Sequence, residues 1–259
     1  MVDVALYDAE ITLTGPAAGQ VGDALVSPPR LHLSATVAST LTLDVSDPDH
    51  DLRDVYLGVG AVTDHTRWGV AAIRRAGLRT RLVLEPMVVL ALRAGVAAYS
   101  VPAGSTTITE LVERVGHEAG VPVAVDPSRH TVAQAVRRDG DAWVFTSMVA
   151  QAAGRWRYCD GTALVVASPR WLLDQAATAS SVTAAAVGGI DYTTDVGLPL
   201  ESAAADVDPT VWLPRLGEPT VLDDAGAASG RWLVTEYRAT LGEGSGRVVW
   251  TRPQRGSSW

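Results

Sequence analysis

The spacing of apolar residues along this chain changes period twice, and that change constrains the fold more than any single motif. Thr40–Ser46 (TLTLDVS) alternates strictly, with Leu41, Leu43 and Val45 on one side and Thr40, Thr42, Asp44 and Ser46 on the other. A period of two is the pattern of a strand with one buried face. Leu31 and Leu33 begin the same pattern, and Arg79–Glu85 and Met87–Leu92 continue it. Pro28-Pro29, Asp47-Pro48 and Pro86 punctuate these runs as turns or strand ends. Residues 1–100 therefore read as an antiparallel β region.

The middle of the chain moves to helical spacing. Ile108, Leu111, Val112, Val115 and Ala119 form one apolar stripe, Thr107 and Glu110 have capping-box spacing, and Gly120 stands where a terminating glycine belongs. A second helix is expected over 142–153, with Asp141 as N-cap and Gly154 as its stop. RWRYCDGTALVV then reads as a hairpin with Asp160-Gly161 as a two-residue type I′ turn. Residues 101–170 thus form a small α/β unit. Residues 172–210 are rich in small and polar types and fit a loose linker or a weak helix. After Val211 strands return in WLVTEYRATL (232–241) and RVVWT (247–251), with GEGSG (242–246) as the turn between them. RPQRGSSW reads as a frayed tail. The fold class expected is mainly β (α+β), divided as 1–100, 101–170 and 171–259.

The residues that carry chemistry do not form a site. Asp47, Asp49 and Asp51 resemble the start of an EF-hand loop, but the sixth position is Leu52 and the twelfth is Gly58, where glycine and glutamate are needed. His32, His50, His65, His117 and His130 are scattered without metal-ligand spacing, and Cys159 has no second cysteine to join it. Cys159 lies in a hairpin strand and not at a helix N-terminus, which favours an inert packed thiol. There is no GxSxG elbow, no P-loop and no GxGxxG after a strand. The acid pairs Asp206/Asp208 and Asp223/Asp224 fall in turn-like sequence. Trp232 and Trp250 sit in apolar strand patterns and are expected in the core. No catalytic residue, cofactor site or metal site is expected, and the chain reads as a non-enzyme.

Charge and hydropathy narrow the partners. The net charge is −8 and all 21 basic residues are arginine. None of the three segments is basic, which argues against nucleic-acid binding through a charged face. No apolar run reaches the roughly 20 residues of a membrane helix, and MVDVALYDAE has neither the basic nor the apolar part of a secretory signal. A product made and folded in the cytoplasm is expected.

Three stretches, in order, resemble tail hub (minor tail) proteins of long-tailed actinobacteriophages. STLTLDVSDPDHDL (39–52) resembles that family's alternating segment ending in a DPD turn. TTITELVERVGHEAGVPV and DAWVFTSMVAQAAGRWRYCDGTALVVASP resemble its small α/β insert, and SGRWLVTEYRATL (229–241) resembles its last strands. The resemblance implies two tube-type β-barrel domains, 1–100 and 171–259, with 101–170 inserted between them. It further implies a homotrimeric baseplate hub at the virion tail tip. Three copies would adapt the six-fold tail tube and distal tail protein to a three-fold tip around the DNA exit channel. The expected contacts are the C-terminus of the tape-measure protein and the downstream tip or spike proteins. An acidic lumen would suit DNA ejection by repelling phosphates. The alternatives are the hub of a contractile injection system and a wall-directed module, either a hydrolase or a glycan binder. No appended peptidase or lysozyme domain is expected after the last strand, so no wall-cutting role is expected either.

Overall fold

A computed structural model describes residues 3–7, 10–48, 53–127, 129–132, 136–175, 180–194, 200–209 and 212–253. The chain opens with β1 (Val4–Leu6), β2 (Ile11–Thr14), helix α1 (Ala18–Asp23), β3 (Arg30–Ser34) and β4 (Thr40–Ser46). A single helical turn α2 (Arg53–Tyr56), β5 (Gly60–Thr63), β6 (Thr66–Ala76) and β7 (Arg79–Pro86) follow. The alternation read in 40–46 is realised. Leu41, Leu43 and Val45 are fully buried, and Leu41 and Leu43 pair across the sheet with Leu84 and Leu82 of β7. Each such leucine contributes about 1.5–3 kcal/mol by leaving water.

Met87–Leu92 is not a strand. It forms α3 (Met87–Ala94), which buries Val88, Val89 and Leu92. An uninterrupted apolar run has no period to separate strand from helix, and here packing against two other helices decides. Met87 and Leu90 lie over Gly69 of β6, where an added Cβ would sit 2.8 Å from Met87 Sδ and 2.9 Å from Leu90 Cδ1. The bare glycine lets the helix rest directly on the sheet.

Next come β8 (Val96–Val101), α4 (Ile108–Ala119), β9 (Val123–Val125), β10 (Val136–Asp141), α5 (Ala142–Ala152), β11 (Trp156–Cys159), β12 (Leu164–Ala167) and α6 (Pro169–Asp174). The predicted caps of α4 are present: Thr107 Oγ1 accepts from the Glu110 amide at 3.2 Å, and Glu110 Oε2 accepts from the Thr107 amide at 2.8 Å. Gly120 adopts the left-handed conformation with φ of 67°. Asp141 caps α5 through the Val144 amide. The hairpin turn differs from expectation. Cys159 pairs with Leu164, so the loop has four residues and not two. Asp160 Oδ1 accepts from the amides of Thr162 and Ala163, each at 2.8 Å, and this side-chain-capped turn replaces the type I′ form.

The C-terminal part contains β13 (Ser180–Thr183), β14 (Asp191–Thr194), β15 (Leu200–Val207), β16 (Pro219–Asp223), β17 (Gly230–Thr240) and β18 (Gly246–Pro253). Much of 172–210 is therefore neither linker nor weak helix. Within β15, Ala203 and Ala205 are buried and lie opposite Trp250 and Val248. Small residues are required there because the neighbouring side chains are large, so packing overrides the low strand propensity of alanine. The tail 254–259 and Asp49–Leu52 lie outside the described residues.

One curled, almost wholly antiparallel sheet runs β1-β2-β5-β6-β7-β4-β3-β17-β18-β15-β14, with β16 and β13 branching from β17. β17 joins the N- and C-terminal parts. On one edge it pairs with β18; on the other, Gly230–Leu233 pair with β16 and Glu236–Thr240 pair with β3. A register shift between Val234 and Glu236 marks the change of partner. A core containing Ile11, Leu41 and Leu82 from one part and Ala203, Trp232 and Trp250 from the other runs under this sheet. A second core collects α3, α4, α5 and the β11–β12 hairpin, from Val88 to Val166.

Candidate functional site

The α/β unit meets the large sheet through a third, smaller cluster. Tyr158, Val165 and Ala167 pack with Ala35, Leu216 and Leu233. Beside this seam lies a cavity of about 250 Å³ at the junction of all three parts of the chain. Leu31 and Leu33 come from β3, Thr66 and Trp68 from β6, Cys159 and Gly161 from the insert hairpin, and Leu213 and Leu216 from the segment before β16. Trp68 is held in place by its Nε1–H, which donates to Thr63 Oγ1 at 2.7 Å. The floor is apolar and the rim is charged. Asp64 and Asp160 stand at the mouth with Arg215, which pairs with Asp64 at 3.0 Å. Glu10, also in the lining, accepts from the Gly242 amide at 2.7 Å.

Cys159 is the one thiol in the cavity lining, and burial pushes that thiol up to about 12, leaving it protonated at neutral pH. Among the described residues no group of three or more histidine, cysteine, aspartate or glutamate side chains could hold a metal ion. The histidines are dispersed: His32 contacts Glu236 at 2.9 Å on the polar face of the sheet, His65 lies near Asp64, and His117 is exposed on α4. Asp47 is buried at the end of β4, whereas Asp206 and Asp223 are exposed.

Other buried charges serve the fold. Arg155 and Asp126 pair at 2.6 Å with side chains 4% and 8% exposed, tying the end of α5 to the strand end after β9. Arg157 lies 3.4 Å over the Trp143 ring and donates to the Trp143 carbonyl; burial lowers its pKa to about 10. Glu85 is held above the ordinary carboxylate range by burial, opposed by Arg93 at 3.0 Å, and it lies outside the cavity lining. The tryptophans read as core are core: Trp232 and Trp250 are fully buried. Sequence reasoning missed the junction cavity, because its lining is drawn from seven separated stretches and none carries a motif.

No family model matches the chain, and no curated protein matches it in sequence. Solved structures do match in fold. The 43 kDa tail protein of prophage MuSo2 from Shewanella oneidensis aligns with a TM-score of 0.60 at 10% identity, covering 94% of this chain and 98% of that one. The E. coli c3393 protein aligns at 0.62 and 14% identity, covering 95% of this chain and 78% of that one. It is described as a component of the type VI secretion system with structural similarity to the T4 tail proteins gp27 and gp5. A tail protein of Neisseria meningitidis aligns at 0.61 and 8% identity, covering 87% and 92%. The mainly β fold with its helical insert is thus similar to the fold of these tail proteins and of the secretion-system component.

Proposed function

We propose that this chain is a structural tail-tip hub, three copies of which form a ring between the tail tube and the tip. The observation that carries this reading is the span of the likeness. It takes in 94% of this chain and 98% of a phage tail protein, so sheet and insert match together and not as isolated pieces. The N-terminal and C-terminal strand groups, joined edge to edge through β3 and β17, would serve as the two tube-type units, with the insert outside the ring. Partners on this reading are the distal tail protein, the tape-measure C-terminus and the tip or spike proteins. The likeness to the secretion-system component keeps the hub of a contractile injection system as the second reading. Gold-labelled antibody against the chain should decorate one end of the tail in purified particles. Label on the capsid, or absence of the chain from particles, would overturn the proposal.

A hydrolase is the rival reading, and it needs a nucleophile or an acid–base pair in a cleft. The junction cavity offers a protonated thiol and carboxylates already engaged at its rim. The expected result is no release of peptidoglycan fragments or peptides by the purified protein. Hydrolysis that a single Asp, Glu or Cys substitution abolishes would establish the rival.

A further inference from the structure

The charge of this acidic chain is locally reversed on one hairpin. Residues 65–84 hold five arginines and no carboxylate. Four of these, Arg74, Arg75, Arg79 and Arg81, surround the tip of the β6–β7 hairpin, and all are exposed. Arg74 and Arg81 are direct cross-strand neighbours, a like-charge arrangement that costs stability in isolation. Of these four, Arg81 is ion-paired, to Asp44 at 2.7 Å; among the described residues the other three have no carboxylate at ion-pair distance. At the tip itself stands Leu78, 70% exposed. The turn is tight, because Ala76 pairs with Arg79 and Gly77 takes a φ of 62°. The Leu78 carbonyl accepts from the Asp47 amide at 3.2 Å, which fixes the tip. A leucine ringed by arginines thus stands in solvent on a turn tied back to the end of β4.

The same chain carries the complement. The junction cavity has an apolar floor, and acids outnumber bases around it and the adjoining crevice: Glu10, Asp64, Asp160 and Glu218 against Arg215. A cavity of about 150 Å³ holds a benzene ring, so a cavity of about 250 Å³ accommodates a leucyl side chain. The two features cannot meet within one molecule. The cavity touches the start of β6 at Thr66 and Trp68, while Leu78 lies beyond its end. A strand rises about 3.3 Å per residue, which places them roughly 30 Å apart.

We propose that Leu78 and its flanking arginines form a knob that docks in the junction cavity of a second copy of this chain. The inference rests on the three-copy ring and names the contact that closes it. A knob and a hole on different surfaces make a head-to-tail interface, which generates a closed ring when the rotation between copies allows it. The arginines meet the acids at the rim, which sets the direction and register of docking, while Leu78 fills the apolar floor.

Sedimentation of the full chain tests this with two variants. Leu78→Asp removes the knob at an exposed position, and Leu213→Arg places a cation in the half-buried lining of the hole. Circular dichroism and thermal melting confirm that each variant is folded. Wild type should sediment as a closed trimer and each variant as one chain. An equimolar mixture of the two variants has one intact knob facing one intact hole, and should stop at a two-chain species. Trimers that persist in Leu78→Asp would overturn the knob while leaving the ring intact. A wild type that stays a single chain at every concentration would overturn the knob, and particle imaging would then judge the ring separately. Duplex DNA binding that Arg74→Glu/Arg79→Glu abolishes and Leu78→Asp preserves would also overturn it, by assigning the arginines to phosphate.

Discussion

Leu111→Asp is expected to unfold the helical insert while the large sheet stays folded. Leu111 is fully buried on α4 in the core that also holds Val89, Phe145, Val149 and Leu164. That core is separate from the one under the sheet, and it is small, so an introduced charge finds neither solvent nor a partner. The cost is the lost leucine burial plus the desolvation of a carboxylate, together about 5 kcal/mol or more, which exceeds what a unit of this size holds in reserve. Hydrogen exchange read by mass spectrometry should show lost protection in α4, α5 and β11–β12. Protection in β4, β7 and β18 should remain. A variant with unchanged exchange in α4 would mean that the stripe read from 108–119 does not face the insert core.

Trp232→Ala is the second large effect, and it falls on the sheet. Trp232 is fully buried on β17, the strand that carries both neighbours β3 and β16. Its Nε1–H donates to the Ala228 carbonyl at 2.6 Å, Arg252 lies 4.1 Å over its ring, and Tyr192 meets it edge-on at 6.2 Å. Truncation leaves a cavity and an unpaired carbonyl, and removes the surface on which Arg252 rests. Loss of a buried tryptophan side chain costs about 3–5 kcal/mol. Urea unfolding followed by far-ultraviolet circular dichroism should show the sheet transition moving to lower denaturant by that amount, with Trp232→Phe losing about half as much. An unchanged midpoint would contradict the placement of Trp232 in the shared core.

The parts legible in the sequence were those in which local chemistry and packing agree. The alternation of 40–46, the capping box at Thr107 and the N-cap at Asp141 each state in one short segment what the fold then uses. Met87–Leu92 reads as a strand because a continuous apolar run carries no period, and its helical form is chosen by partners distant in the chain. β15 was missed because its inward positions are alanine, a choice that makes sense only once Trp250 is known to lie opposite. Asp160-Gly161 has the sequence of a two-residue turn, but the aspartate side chain caps a four-residue loop. The junction cavity was beyond reach altogether. Its lining comes from β3, β6, the insert hairpin and the segment before β16, and only the topology brings them together. The arginines of 67–81 are likewise hidden in the overall charge of residues 1–100, where carboxylates elsewhere in the segment offset them.

The central claim is about assembly, and direct imaging of the assembled particle tests it best. A tail tube is six-fold and a tip is three-fold. On the proposed reading the strand groups on both sides of β17 are two tube-type units, so that three copies would present six. Single-particle electron cryomicroscopy of the tail tip should therefore find three copies of this chain in a closed ring around an open axial channel. Residues 1–100 and 171–259 should superpose as related units, and 101–170 should lie on the outside. Six copies, a closed axis, or strand groups that do not superpose would contradict the account.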